Sequence, residues 1–244
     1  MAVNTVADWT LIGETEPWFG VLSAPQFLRA NINDAAKEHF YALGEQEVER
    51  VVDVLRNSFG PFEPKLGLDF GSGLGRLSFP MSRICERVIG IDISDGMIAE
   101  AERQRIAKNI NNVQFVKQIP DDIKVDWLHS HIVFQHILPR DGYNILQNLL
   151  DKLSDRSFIS LHLTYAHDKR DPSTLIRDLD AYRFDGDTLT ILGENTRDPG
   201  TMSMYSYDMN RILLTLTRAR LGNLFLQPTD HGGNYGFWIF ARRG

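Results

Sequence analysis

Three groups of residues in this sequence stand at spacings that can do chemistry. The first is a turn of alternating glycines, Gly71, Gly73 and Gly75, within the stretch LGLDFGSGLGRL (66–77). A strand that enters a helix through glycines brings backbone N–H groups and a helix N-terminus against a ligand. The second is a pair of acids. Asp69 precedes the turn by two residues, and Asp92 ends the next apolar run, VIGID. The third is His136, in SHIVFQHI (130–137), just past a further apolar run. A histidine at the carboxyl edge of an open sheet is placed to take a proton from a bound substrate near neutral pH.

Two ligand classes use such a turn. Dinucleotide enzymes need a third glycine where this chain has Arg76, and a carboxylate at Asp69 would repel pyrophosphate. The same carboxylate suits a ligand with an ammonium group. LDFGSGLGRL resembles motif I of the class I S-adenosylmethionine-dependent methyltransferases, D/E-x-G-x-G-x-G, and the resemblance extends from about Leu66 to the C-terminus. It implies S-adenosylmethionine as cofactor and S-adenosylhomocysteine as product. It implies that Asp69 lies near the methionine ammonium and that Gly71, Ser72, Gly73 and Gly75 pass under the cofactor. Asp92 would take both ribose hydroxyls, with Ile93 beside it and Met97 near adenine, or in the core. Many relatives place Gly-Asp after the third strand; here that place holds Lys117 and Gln118. Gln118 can accept from adenine, as can Asp121 or Asp122 if the loop folds back. Gln135, near the end of the fourth-strand segment, is expected among the cofactor contacts.

Composition narrows the acceptor. The chain has 244 residues and a net charge of −6, a poor footprint for nucleic acid. Its only cysteine, Cys85, implies neither an intrachain disulfide nor a zinc cage, and no metal is expected. No signal peptide or membrane-length apolar run is apparent, so a cytoplasmic protein is expected. QHILPRDG (135–142) is similar to the segment of sugar- and small-molecule methyltransferases in which a histidine faces the acceptor, which implies a small-molecule or glycan acceptor, and His136 as base favours oxygen. The same histidine also serves relatives as a pocket or structural residue. His167, Tyr205 and His231 are candidate substrate contacts. His129 and His162 fall within strands and face helices. An N-methyltransferase needs no strong base and is the alternative. A non-catalytic cofactor-binding protein and an NAD-type oxidoreductase are the rivals outside that class.

The elements that must position these residues follow from periodicity. The first thirty residues read as irregular and aromatic-rich, with Trp9, Trp18 and Phe19 able to lid the cofactor or to pack on the body. Residues 33–60 read as helix, or two helices broken at Gly44, so residues 1–60 form an N-terminal cap. Residues 61–244 then form the methyltransferase domain. Short apolar runs alternate with helices: the turn enters a helix reaching about Glu86, and WLHSHIVF (127–134) is the fourth strand. A polar insert at about 166–206 shows no period, and a strand–turn–strand closes the chain. The expected fold is α/β: a Rossmann-like, seven-stranded, mostly parallel sheet with an antiparallel last strand, helices on both faces and an N-terminal helical lid.

Overall fold

A computed structural model describes residues 5–167, 181–184, 189–192, 202 and 204–244. Its main sheet has seven strands in the order β3-β2-β1-β4-β5-β9-β8. They are β1 (Leu66–Phe70), β2 (Arg87–Ile91), β3 (Val113–Val116), β4 (Val125–Ser130), β5 (Leu153–His167), β8 (Asn223–Asp230) and β9 (Asn234–Arg242). The first five run parallel, and β9 lies antiparallel between β5 and β8. The reversed last strand is therefore as expected.

Period-two alternation sends neighbouring residues to opposite faces. Trp127 and Leu128 of β4, and Trp238 and Ile239 of β9, each split between two cores. One core takes Val48, Val51 and Leu55 of helix α3 (Asp34–Phe59). The other takes Leu146, Leu149 and Leu150 of α6 (Pro139–Asp151) with Ile212 and Leu216 of α7 (Met209–Arg218). Helix α5 (Asp95–Ala107) connects β2 to β3, and the side chain of Ser94 caps it by accepting from the Met97 N–H.

Several local expectations are corrected. The N-terminus is not irregular: α1 (Thr5–Thr15), α2 (Pro17–Val21) and a 3-10 turn (Pro25–Phe27) precede α3. Helix α3 is unbroken at Gly44. A Cβ there would lie 2.2 Å from the Arg76 carbonyl oxygen, so glycine lets helix and turn approach closely. The helix after the glycine turn is one short turn, α4 (Ser78–Met81), with Pro80 inside it, rather than a helix to Glu86. Strand β4 stops at Ser130, because Ile132 takes a left-handed φ of 58°, uncommon for a β-branched residue, and redirects the chain. A 3-10 turn (Phe134–His136) then carries His136. The insert has structure of its own: β6 (Ala181–Phe184) pairs antiparallel with β7 (Leu189–Leu192). The rest of 168–201 and residue 203 lie outside the described residues.

Candidate functional site

The carboxyl ends of the strands open into a cleft of about 1820 Å³, bounded by described residues of α1, α2, α3 and the strand ends. That exceeds the few hundred to about 1,000 Å³ of a typical single-ligand site, and leaves room for two molecules side by side. Sheet order fixes the order of groups along it. Lys117 and Gln118 follow β3, Asp92 follows β2, Gly71–Gly73 follow β1, His131 follows β4, His231 lies in the β8–β9 turn and Asn234 begins β9.

The glycine turn is required by the protein's own packing. Gly71, Gly73 and Gly75 all have positive φ, at 77°, 51° and 76°. A Cβ on Gly71 would meet Val133 at 2.2 Å, one on Gly73 would meet Val21 at 2.8 Å, and one on Gly75 would meet Phe115 and Phe79 at 2.8 Å. Side chains are excluded by the segment after β4, by α2 and by the core. The backbone left bare between them lines the cleft at Gly71, Ser72 and Gly73, whereas Gly75 faces the core.

The two acids part company. Asp92 lines the cleft with both oxygens held: Oδ2 accepts from the Gly73 N–H at 2.8 Å and Oδ1 from the Ser94 N–H at 3.0 Å. Burial raises its pKa, and these N–H groups oppose the rise. The Ile93 N–H also acts on it, and the acceptor capacity that remains on the carboxylate suits hydroxyl groups of a ligand in the cleft. Asp69 does not line the cleft. It is fully buried and accepts from Ser78 Oγ at 2.6 Å, and burial pushes its carboxyl up to about 6. The acid expected near an ammonium group thus lies beneath the turn, out of the cleft wall.

Ile93, exposed, and Met97, buried, flank Asp92 in the cleft, and Gln118 is exposed at its β3 end. Lys117 is drawn to Asp95 at 2.9 Å. Gln135 and His136 are buried at the far wall. Gln135 Oε1 accepts from Thr164 Oγ1 at 2.8 Å, which turns its amide nitrogen to His136 Nε2 at 3.2 Å. Trp9 of α1 packs edge-on against the His136 ring, with centroids 5.0 Å apart. Tyr205 is buried in the wall, and its backbone N–H donates to the Gln135 carbonyl at 2.7 Å. His231 lies exposed at the rim. His167 is not in the cleft wall; its Nδ1 is 2.6 Å from Asn234 Oδ1. His129 and His162 are buried, and burial pushes both down to about 3.

Sequence reasoning missed a charged wall made by three elements. His131 stacks on Trp238 at 4.6 Å, and its Nδ1 is 3.9 Å from Glu47 Oε1 of α3. Burial drives its pKa well down, so it is neutral. Arg50, one turn beyond Glu47, pairs with that carboxylate at 2.5 Å. Arg76 stands beside them, buried, with its carbonyl against Gly44. No local spacing announced this group, because its members come from α3, the glycine turn and the end of β4. Among the described residues no cluster of three or more His, Cys, Asp or Glu could hold a metal, and no helix is long and apolar enough to cross a membrane.

Comparison with known proteins bears on the fold. Residues 68–155 match a family model described as a methyltransferase domain. A curated relative, the 23S rRNA (uracil(1939)-C(5))-methyltransferase of Legionella pneumophila strain Paris, is 28% identical over 116 residues, 46% of this chain. The chain spans only 24% of that protein's length. Magnesium protoporphyrin IX methyltransferase from Synechocystis PCC 6803, solved with bound S-adenosylmethionine, superposes with a TM-score of 0.62 at 18% identity, covering 100% of this chain and 99% of that one. An amino pentose methyltransferase from Micromonospora echinaspora superposes with a TM-score of 0.54 at 13% identity, covering 82% and 91%. The chain carries a methyltransferase domain and has the fold of the class I S-adenosylmethionine-dependent methyltransferases.

Proposed function

We propose that the chain moves a methyl group from S-adenosylmethionine to a small-molecule or sugar-containing acceptor, at oxygen. The observation that supports this most is the order of groups along one cleft. A diol-accepting carboxylate, Asp92, stands beside bare backbone at Gly71–Gly73, and a polar wall with a buried histidine follows. In this reading Gln118 and Met97 border the adenine, Ile93 and Asp92 the ribose, and the turn the amino-acid end. Gly75 shapes the turn, and buried Asp69 gives it a negative underside. Tyr205 and His231 face the acceptor side, Gln135 borders the cofactor beside His136, and His167 supports the rim through Asn234.

When bound, S-adenosylmethionine supplies a methyl group already activated by its sulfonium. The chain's own residues align the acceptor and exclude water. Trp9 and the segment Gly20–Ser23 cover the cleft from one side. His136 takes the acceptor proton. Its Nε2 lone pair accepts from the Gln135 amide, so an acceptor hydroxyl must displace that amide to deliver its proton.

The RNA-modifying relative motivates a second reading, and one group weighs against its chemistry. Carbon 5 of uracil becomes nucleophilic only after a nucleophile adds to the ring. The chain's one thiol, Cys85, is buried against Gly67, and burial pushes it up to about 12. The test is incubation with methyl-labelled S-adenosylmethionine and four acceptor sets: sugar hydroxyls, phenols, small amines and ribosomal RNA fragments. Label in a hydroxyl product supports the proposal. Label only in amines, only in RNA, or in none contradicts it.

A further inference from the structure

Arg76 is 8% exposed, lines the cleft, and makes no hydrogen bond with the described residues; its Nε is covered from solvent and without a partner. A buried guanidinium without a hydrogen-bonding acceptor is costly: the Nε–H has lost water without gaining a partner, and the Nη donors keep only the exposure that the cleft gives them. Two carboxylates stand near enough to feel its charge, Glu47 and Asp69. Both are engaged elsewhere: Glu47 by Arg50 at 2.5 Å and Asp69 by Ser78 at 2.6 Å. The neutral ring of His131 adds no competing charge. The desolvation of Arg76 lowers its pKa despite both carboxylates, which marks a cation short of compensation.

Position narrows what the cation is for. Strands β1 and β4 pair in register Asp69↔His129, so Gly71 and His131 leave the sheet at the same level. The stem of Arg76 packs on α3 at Gly44, and the residue lines the cleft together with Glu47 of α3 and His131 after β4. Asp92 lies two strands away, at about 10 Å from β4 for strands about 4.8 Å apart. A ligand held at Asp92 by a diol and crossing Gly71 brings its far end to Arg76.

We propose that Arg76 is a carboxylate anchor, receiving a ligand carboxylate over the ends of β1 and β4. The inference rests on the methyltransferase reading. The carboxylate has two sources, the amino-acid end of the cofactor or an acidic acceptor, and planar guanidinium–carboxylate pairing serves either.

The test is calorimetry on the whole chain, wild type and Arg76→Gln. Ligands are S-adenosylhomocysteine and 5′-methylthioadenosine, the same nucleoside without the carboxylate; benzoate and benzamide are then titrated into the S-adenosylhomocysteine complex. If the cofactor is the source, Arg76→Gln weakens S-adenosylhomocysteine about 10- to 100-fold and leaves 5′-methylthioadenosine unchanged. If the acceptor is the source, S-adenosylhomocysteine is unaffected, wild type prefers benzoate to benzamide, and the variant loses that preference. Unchanged binding of both carboxylates, or equal weakening of the two nucleosides, overturns the proposal. Should Arg76→Gln fail to fold, Arg76→Lys keeps the charge and loses the fork; the same selective loss is expected, and its absence overturns the assignment. Wild type that binds neither nucleoside overturns the methyltransferase reading itself, before any variant is made.

Discussion

Gly73 donates its backbone N–H to Asp92 Oδ2 at 2.8 Å, tying the glycine turn to the end of the neighbouring strand. One bond therefore sets both the shape of the bare backbone and the direction of the carboxylate beside it. Asp92→Ala removes the acceptor for the turn and for a ligand diol together. Its dissociation constant for S-adenosylhomocysteine is expected to rise about 10- to 100-fold, the cost of stranding donors to a charged group. Calorimetric titration checks it, and affinity within twofold of wild type would remove Asp92 from the ribose role.

His136 sits between Trp9 and Gln135. With an acceptor hydroxyl as substrate, His136→Ala is expected to lower turnover about 10²- to 10⁴-fold, as loss of a general base does. S-adenosylhomocysteine affinity should stay within a few-fold. Single-turnover assays with parallel titrations separate the two, and a full-rate variant would end the role of His136 as base.

Gly71→Ala puts a methyl group 2.2 Å from Val133 at a φ of 77°. The left-handed conformation alone costs about 1–2 kcal/mol, and overpacking adds about 1–3 kcal/mol. Urea unfolding of Gly71→Ala should show that loss. Adding Val133→Ala should recover the steric part and leave the conformational part. No recovery would mean that the clash with Val133 is not what excludes a side chain.

The pH dependence of stability follows from buried histidines. His129 and His162 are held near 3 by burial, against an ordinary value of 6.5. Below about pH 6.5 the unfolded chain binds protons that the folded chain refuses, so stability falls as pH falls. The slope is about 1.4 kcal/mol per pH unit for each such histidine. Asp69 opposes it, because its raised pKa makes the folded state the better proton binder between about 4 and 6. Comparing wild type with His162→Gln by urea unfolding at pH 7 and 5.5 should show a shallower loss in the variant. Parallel losses would contradict a neutral, buried His162.

Much of the frame was legible because it repeats: apolar runs of four to six residues, the helices between them, and the acid after β2 are local signals. The unreadable parts depend on distant partners. Gly44 looked like a helix break, and only the approach of the Arg76 carbonyl explains why the helix tolerates it. Helix α1 has its apolar residues spread around it, so no periodic face announced it. Asp69 and Asp92 look equivalent in sequence, and burial beneath Ser78 is what separates them. Glu47, Arg76 and His131 meet only after α3, β1 and β4 have packed.

The most direct test of the central claim is titration of the whole chain with S-adenosylmethionine, S-adenosylhomocysteine and NADH in parallel. The cleft predicts that both sulfur nucleotides bind one to one and that NADH does not. Binding of NADH, or of none of the three to folded protein, would contradict it.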